Sequence, residues 1–182
     1  NGIDLDYCCK NMVRRNRADY NEWGGIGLYN SSEENAIEDN EVGYNNWAGI
    51  NLNECQGNFV NGNIATRNVL SGFKLQGSHD NLLFHNDLVE NAMDGGAIRT
   101  TSPLNWALLQ LYQLRQLFRD HKAKSNAYDD ANNQWDNGTT GNYYSDFNCT
   151  DSDGNGICDS EHAIPGGESV DKYPLARPKS SG

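Results

Sequence analysis

The chain has 182 residues, a formal net charge of -11 and 36% hydrophobic residues. This length suits a single domain, and the acidic balance argues against a nucleic acid partner, because a phosphate backbone needs a basic surface. The sequence contains no apolar run long enough to span a membrane and no signal peptide.

A short motif recurs through the first half of the chain: a glycine followed by alternating apolar and variable residues. It begins at Gly2, Gly25, Gly49 and Gly72, at spacings of 23, 24 and 23 residues. A fixed period of this size indicates one supersecondary unit stacked on copies of itself. The segments are too short and too rich in Asn and Gly for helices. We therefore expect three short strands and three turns per repeat, which is one rung of a parallel β-helix.

Rungs of such a solenoid stack at about 4.8 Å, so equivalent residues lie directly above one another. One predicted inward stack is Val13, Ile37, Val60 and Leu83, and another is Ile3, Ile26, Ile50 and Phe73. The chain also contains 26 asparagines. Asparagine tolerates the left-handed backbone of tight turns, and stacked amides can form hydrogen-bonded ladders. We expect Asn16, Asn40, Asn63 and Asn86 to form a ladder that serves the scaffold.

The outward positions of the glycine-motif strand are the candidate ligand-binding residues. They are Asp4, Asp6, Tyr29, Asn51, Asn53, Lys74 and Gln76, with Arg99 on the next rung. This mixture suits sugar hydroxyls, and it would also suit an acid/base pair or a base beside a cation, as in glycosidases and lyases. Trp23 and Trp47 precede the motif glycines at equivalent positions. They would stack on sugars if exposed and join the core if buried.

Residues 103–124 break the repeat. Leucines recur there at steps of three and four residues, Pro103 stands at the start, and basic residues gather at the end. This pattern predicts a short amphipathic helix that packs on the solenoid or caps it. Alternatively, its Leu-rich face pairs with another chain, or the segment is not native to the fold.

An acidic loop between Cys149 and Cys158 is the sharpest chemical motif. Oxygen-bearing residues fall at alternate positions (Asp151, Asp153, Asn155 and Asp159), Gly156 stands at the sharp turn, and Ile157 offers its backbone carbonyl. This is the spacing of an EF-hand-like calcium loop, so we predict a structural calcium ion. Position 12 of the loop is His162, a poor calcium ligand; Glu161 is adjacent, and Glu168 and Asp171 follow in the same closing segment as candidates for the last ligand.

Five cysteines cannot all pair. We predict a disulfide between Cys149 and Cys158, which bracket the acidic loop. Cys8 and Cys55 share a repeat position two rungs apart, which is about 9.6 Å and beyond the ~7 Å limit for a disulfide. Asn30, Asn137 and Asn148 begin N-glycosylation sequons, which chance alone would supply in so Asn-rich a chain.

The repeat resembles the right-handed parallel β-helix proteins of archaeal and bacterial surfaces, the group that includes NosD-like proteins and the carbohydrate-binding and sugar-hydrolase domains. The C-terminal stretches around Asn126–Asp130, Asn133–Asp146 and Asp171–Leu175 are similar to the segment that closes many NosD-like solenoids. The resemblance implies a right-handed, single-stranded parallel β-helix outside the cytoplasm: extracellular, at the cell surface or periplasmic. It also favours Asp171 as the last calcium ligand, because Asp171 lies in a family-typical stretch.

The predicted organisation is therefore a solenoid over residues 1–102, a helix over 103–124 and an irregular, calcium-bearing cap over 125–182. We expect a non-catalytic module that binds carbohydrate or serves a structural role. One alternative is a polysaccharide lyase or glycoside hydrolase with a groove along the rungs. A second is a self-assembling surface subunit, since the chain begins within a rung, which indicates an excised portion of a longer protein or a partner at that end.

Overall fold

Three parallel sheets run along the molecule, each built from one strand per repeat. The computed structural model describes residues 1–92, residue 111 and residues 125–179. The first sheet consists of Ile3–Asp6 (β1), Ile26–Tyr29 (β3), Ala48–Asn53 (β6), Ser71–Gln76 (β9) and Ser125–Asp129 (β12). The second consists of Met12–Arg14 (β2), Ala36–Glu38 (β4), Phe59–Asn61 (β7) and Leu82–Phe84 (β10). The third consists of Glu41–Gly43 (β5), Ile64–Thr66 (β8), Asp87–Val89 (β11) and Tyr143–Tyr144 (β13). The prediction of an all-β parallel solenoid is confirmed, with about four turns.

The register between rungs follows the sequence period. Ile3 pairs with Ile26, Ile26 with Ile50, and Ile50 with Phe73 along the first sheet. Val13, Ile37, Val60 and Leu83 align in the same way along the second sheet. Both predicted stacks belong to one core, in which Ile3 is partly buried and the other members are buried. Because each rung contributes few core residues, a modest hydrophobic content is enough to fill the solenoid.

Asparagine ladders join the rungs at all three turns, where the sequence predicted one. The predicted ladder is present: the backbone N–H and side-chain amide of each Asn donate to Oδ1 of the Asn in the next rung. A second ladder runs through Asn11, Asn35, Asn58 and Asn81. A third runs through Asn21, Asn45, Asn68 and Asn91. The ladders satisfy buried turn amides that the strands leave unpaired.

The left-handed residue of each turn stands immediately before the ladder asparagine. Positive φ occurs at all twelve such positions: Lys10, Glu34, Gly57, Asp80, Arg15, Asp39, Gly62, His85, Tyr20, Tyr44, Arg67 and Glu90. The ladder asparagines themselves lie outside the left-handed region. Asparagine does adopt the left-handed conformation at Asn30, with φ of 50°, but not at the ladder positions. Its side chain is used for ladder hydrogen bonds, and the strained backbone falls on the preceding residue.

Residues 125–144 extend the same columns by one layer. Strand β12 pairs with β9, Gln134 bridges to Leu82, and β13 pairs with β11. The three ladders continue to Asn126, Asn133 and Asn142. There they end on other acceptors, since the backbone N–H groups of these asparagines donate to the side chains of Asp146, Ser169 and Asp171 respectively. The C-terminal segment therefore closes each ladder separately.

Beyond these layers, His162–Ala163 (β14) and Val170–Asp171 (β15) pair in antiparallel fashion. The predicted disulfide joins Cys149 and Cys158, and Cys8, Cys9 and Cys55 are free. The amphipathic helix predicted over 103–124 lies outside the described residues apart from Leu111, so it stays a prediction.

Candidate functional site

A cleft of about 420 Å³ lies on the outer face of the first sheet. Its lining residues, which define the cleft below, are Asn1, Asp4, Trp23, Tyr29, Trp47, Asn51, Asn53, Lys74 and Gln76. Six of them belong to the set predicted from the sequence. Parallel stacking brings them together: Asp4, Asn51 and Lys74 occupy one outward column, and Tyr29, Asn53 and Gln76 occupy the next.

Gly27 makes room for the cleft. It occupies the outward column between Asp4 and Asn51, where any side chain would project into the space. A Cβ atom built on Gly27 would lie 2.4 Å from Cε2 of Tyr29 and 2.8 Å from Oδ1 of Asp4. The Tyr29 ring therefore folds across the glycine, and its hydroxyl accepts a hydrogen bond of 2.8 Å from the Asn1 amide. A position without a side chain thus shapes the floor at this end.

The other end of the floor holds a buried cation. Lys74 is 3% exposed, and its Nζ lies 4.9 Å from the centroid of the Trp47 ring and 5.9 Å from that of Tyr128. Both distances are within the range of attraction between a cation and an aromatic face. Tyr128 reaches this position because β12 places it directly beside Lys74 in the sheet. The rings offset part of the cost of removing the ammonium from water.

The two tryptophans take different roles. Trp47 is nearly buried and forms a small apolar cluster with Ala48 and Leu70, whereas Trp23 is 44% exposed. They occupy the same column, since the backbone N–H of Trp47 donates to the carbonyl of Trp23. Trp23 therefore presents an accessible ring at the cleft, while Trp47 supports Lys74.

Two predicted ligand-binding residues stand apart from this group. Asp6 is exposed and does not line the cleft. Its carboxylate accepts a hydrogen bond of 2.7 Å from the Asn30 side chain instead. Arg99 lies outside the described residues. The sequence also missed Asn1, Gly27 and Tyr128. Only Gly27 carried a signal, as the one small residue in an outward column.

The acidic loop encloses an unsatisfied carboxylate oxygen. Oδ2 of Asp151 accepts a hydrogen bond from the backbone N–H of Gly156, whereas its Oδ1 is buried without a hydrogen-bond partner. Asp153 and Asn155 accept backbone hydrogen bonds from Asn155 and Ile157, and Asp159 accepts from Ser152. Within the described ranges, no three His, Cys, Asp or Glu side chains are grouped as metal ligands.

Asp171, the remaining predicted calcium ligand, is a fully buried member of the closing segment. Its carboxylate accepts hydrogen bonds from the backbone N–H groups of Asn142 and Tyr173 and from the Tyr144 hydroxyl. Burial raises the pKa of Asp171 to about 6, despite these donors. Burial and the neighbouring Asp171 carboxylate raise the pKa of Tyr144 well above its ordinary value. This group terminates the predicted ladder, which runs through Asn86 to Asn142.

Comparisons with known proteins bear on the solenoid. A family model described as "Right handed beta helix region" matches residues 1–106. No curated protein matches the chain. A crystal structure of a mutant of the periplasmic alginate epimerase AlgG matches with a TM-score of 0.43 and 23% sequence identity, over 57% of this chain and 26% of that one. The chain thus spans about a quarter of that structure's length. In the part of the chain that the structure describes, no helix is long and apolar enough to cross a membrane.

Proposed function

The chain belongs to the right-handed β-helix family, and from the outer face of its first sheet we propose that it is a non-catalytic module that binds carbohydrate in the cleft. In this proposal the rungs form a single-stranded solenoid wound in the right-handed sense, as in the NosD-like group. The observation that carries it is the cleft itself, where an accessible indole stands beside amide, carboxylate and ammonium groups.

The aromatic part of the cleft suits the apolar face of a sugar ring. The Trp23 ring is accessible, and a large rigid ring offers contact area at little cost in conformational entropy. Tyr29 forms the floor beside it. A pyranose presents C–H groups on one face and hydroxyls around its edge, so a ring beside polar side chains matches both parts.

The polar part of the cleft suits hydroxyl groups. Asn51, Asn53 and Gln76 each combine an amide donor with a carbonyl acceptor; Asn51 and Asn53 lie on one rung, and Gln76 lies on the next. Each sugar hydroxyl can both donate and accept, so amides are suitable partners for it. Because rungs repeat about every 4.8 Å, a bound chain would contact equivalent positions along its length.

We place the protein outside the cytoplasm. The Cys149–Cys158 disulfide supports this proposal, because disulfides form and persist mainly in oxidising compartments.

Calcium at the acidic loop belongs to the same proposal. The buried Oδ1 of Asp151 has no hydrogen-bond donor, and a cation would supply the missing partner. Asp151, Asp153, Asn155, Asp159 and the Ile157 carbonyl would hold the ion, with Asp171 as the sixth candidate. The ion would stabilise a segment with a small apolar core.

The test is a panel of neutral and uronic polysaccharides incubated with the full chain in calcium. Affinity electrophoresis would measure binding, and size-exclusion chromatography would measure polymer length. We expect one class of polymer to retard the protein in electrophoresis and to keep its length in chromatography. Trp23→Ala should weaken binding at least tenfold. Tyr7→Ala is the matched control, since Tyr7 is 77% exposed and lies outside the cleft lining; it should bind as the unaltered chain does.

Other outcomes favour the alternatives. Shortened polymer would establish a polysaccharide lyase or hydrolase. Hydrolysis by paired carboxylates would then need a second acid, because Asp4 is the one carboxylate among the described lining residues. If no polymer is bound and none is shortened, the carbohydrate-binding proposal is contradicted. Light scattering would then test self-association through the first rung or the Leu-rich segment.

A further inference from the structure

An exposed loop follows the last core tryptophan. Trp135 is fully buried, and the next residues turn out to the surface, where Asn137, Gly138 and Thr139 are exposed. The loop is a tight turn, since the backbone N–H of Asn137 donates to the carbonyl of Thr140. These residues form the sequon Asn-Gly-Thr, the acceptor pattern for N-linked glycans.

The two ends of the Asn137 side chain differ. Its Oδ1 accepts hydrogen bonds from the Thr139 hydroxyl at 2.8 Å, from the Thr139 N–H at 3.0 Å and from the Thr140 N–H at 2.9 Å. Its Nδ2 makes no hydrogen bond to any described residue. The amide nitrogen is therefore accessible, while the hydroxyl that a sequon requires already contacts the carbonyl of the same amide. Hydrogen bonds to that oxygen favour loss of an Nδ2 proton.

The other two sequons are arranged differently. At Asn30, Nδ2 donates to the Asp6 carboxylate at 2.7 Å, and the sequon serine, Ser32, is fully buried. At Asn148, the middle residue Cys149 is held by its disulfide. The backbone there is held as well, because the carbonyl of Thr150 accepts a hydrogen bond of 2.7 Å from Asp159. Asn148 and Thr150 are themselves exposed, but among the three sequons, all within the described residues, that of Asn137 has its hydroxyl hydrogen-bonded to the acceptor amide.

We propose that Asn137 is an acceptor site for an N-linked glycan on the folded protein. The donor would be an oligosaccharide on a polyprenyl pyrophosphate carrier. A bond forms between Nδ2 and the anomeric carbon of the first sugar, the bond from that carbon to the pyrophosphate oxygen breaks, and polyprenyl pyrophosphate leaves. The displaced amide proton passes to a base of the transferase. No oxidation or reduction is involved.

The surroundings have room for the product. A Cβ built on Gly138 would meet nothing within 4 Å. A cleft of about 610 Å³ opens beside the loop, and Gln134, Asn137, Glu168 and Lys172 line it among others. The first sugar can therefore extend from Nδ2 without displacing the buried Trp135.

The experiment treats the purified, folded full chain with an oligosaccharyltransferase and a polyprenyl-pyrophosphate oligosaccharide. Intact mass counts the glycans, and peptide mapping locates them. We expect one glycan on Asn137, with at least tenfold less transfer to Asn30 and Asn148. Asn137→Gln and Thr139→Ala should abolish transfer, whereas Thr139→Ser keeps the hydroxyl and should retain it. Asn148→Gln is the matched control and should be modified as the unaltered chain is.

A short peptide with the sequence of residues 134–142 serves as the positive control for the enzyme. If the peptide is modified while the folded chain is not, the loop is not an acceptor and the proposal fails. Transfer to Asn30 or Asn148 at a rate equal to that at Asn137 would also overturn it. Circular dichroism of each variant checks that the fold is retained.

Discussion

Replacing one buried ladder asparagine should destabilise the solenoid far more than replacing the same ladder's first member. Asn63 is fully buried. Its Oδ1 accepts hydrogen bonds from the backbone N–H and the side-chain amide of Asn40, at 3.0 and 2.9 Å. Its Nδ2 donates to the Ile37 carbonyl at 2.8 Å and to Oδ1 of Asn86 at 3.0 Å. Asn63→Ala therefore removes the acceptor of two buried N–H groups.

The cost follows from those two groups. A buried donor left without a partner costs about 1–3 kcal/mol, so we expect Asn63→Ala to lower the free energy of unfolding by about 4 kcal/mol. Asn16 is exposed, and among the described residues nothing donates to its Oδ1. Asn16→Ala removes donors to the Arg14 carbonyl and to Asn40 and leaves no buried N–H unpaired. Its cost should be about 1 kcal/mol.

Equilibrium unfolding in urea would measure both variants, with circular dichroism and tryptophan fluorescence as separate probes. Repeat proteins can unfold in parts, so the free energies of the two variants are comparable only if the two probes give coincident transitions. If the free energies of unfolding of the two variants differ by less than about 1 kcal/mol, buried N–H groups left without an acceptor do not determine the loss of stability.

Three further predictions concern the cleft, the acidic loop and the closing segment. Gly27→Ala places a methyl group against Tyr29, so glycan affinity should fall at least tenfold with little loss of stability; unchanged affinity in affinity electrophoresis would contradict this. Calcium should raise the melting temperature, excess EDTA should lower it, and Asp151→Ala should remove the difference; a melt indifferent to EDTA refutes the calcium proposal. The pKa of Asp171 is raised from 3.8 to about 6, so its folded state binds the proton more tightly. Its contribution to stability is then present below pH ~4 and lost as pH rises through ~6. Lowering the pH from ~7 to ~5 should therefore raise the free energy of unfolding by about 1 kcal/mol through this group. Urea unfolding at a series of pH values would measure this; if Asp171→Asn shows the same pH dependence as the unaltered chain, the reasoning is wrong.

The sequence by itself determined the solenoid and its register. A strict period places equivalent residues above one another, so the inward stacks through Val13 and Ile3 follow from spacing alone. The same reasoning would have found the third ladder, since Asn21, Asn45, Asn68 and Asn91 keep the spacing of the motif. The predicted disulfide also needed no tertiary information, because a short loop already brings Cys149 and Cys158 together.

Tertiary structure decided what the outward columns form. Periodicity shows that Lys74 faces outward, but not that its ammonium is buried between the rings of Trp47 and Tyr128. Tyr128 follows residues 103–124, which interrupt the repeat, so no spacing could reveal it. Equivalent positions also diverge, as Trp23 is exposed and Trp47 buried. The position of a side chain along the period fixes its direction, whereas its exposure depends on what the neighbouring rungs and the closing segment place against it.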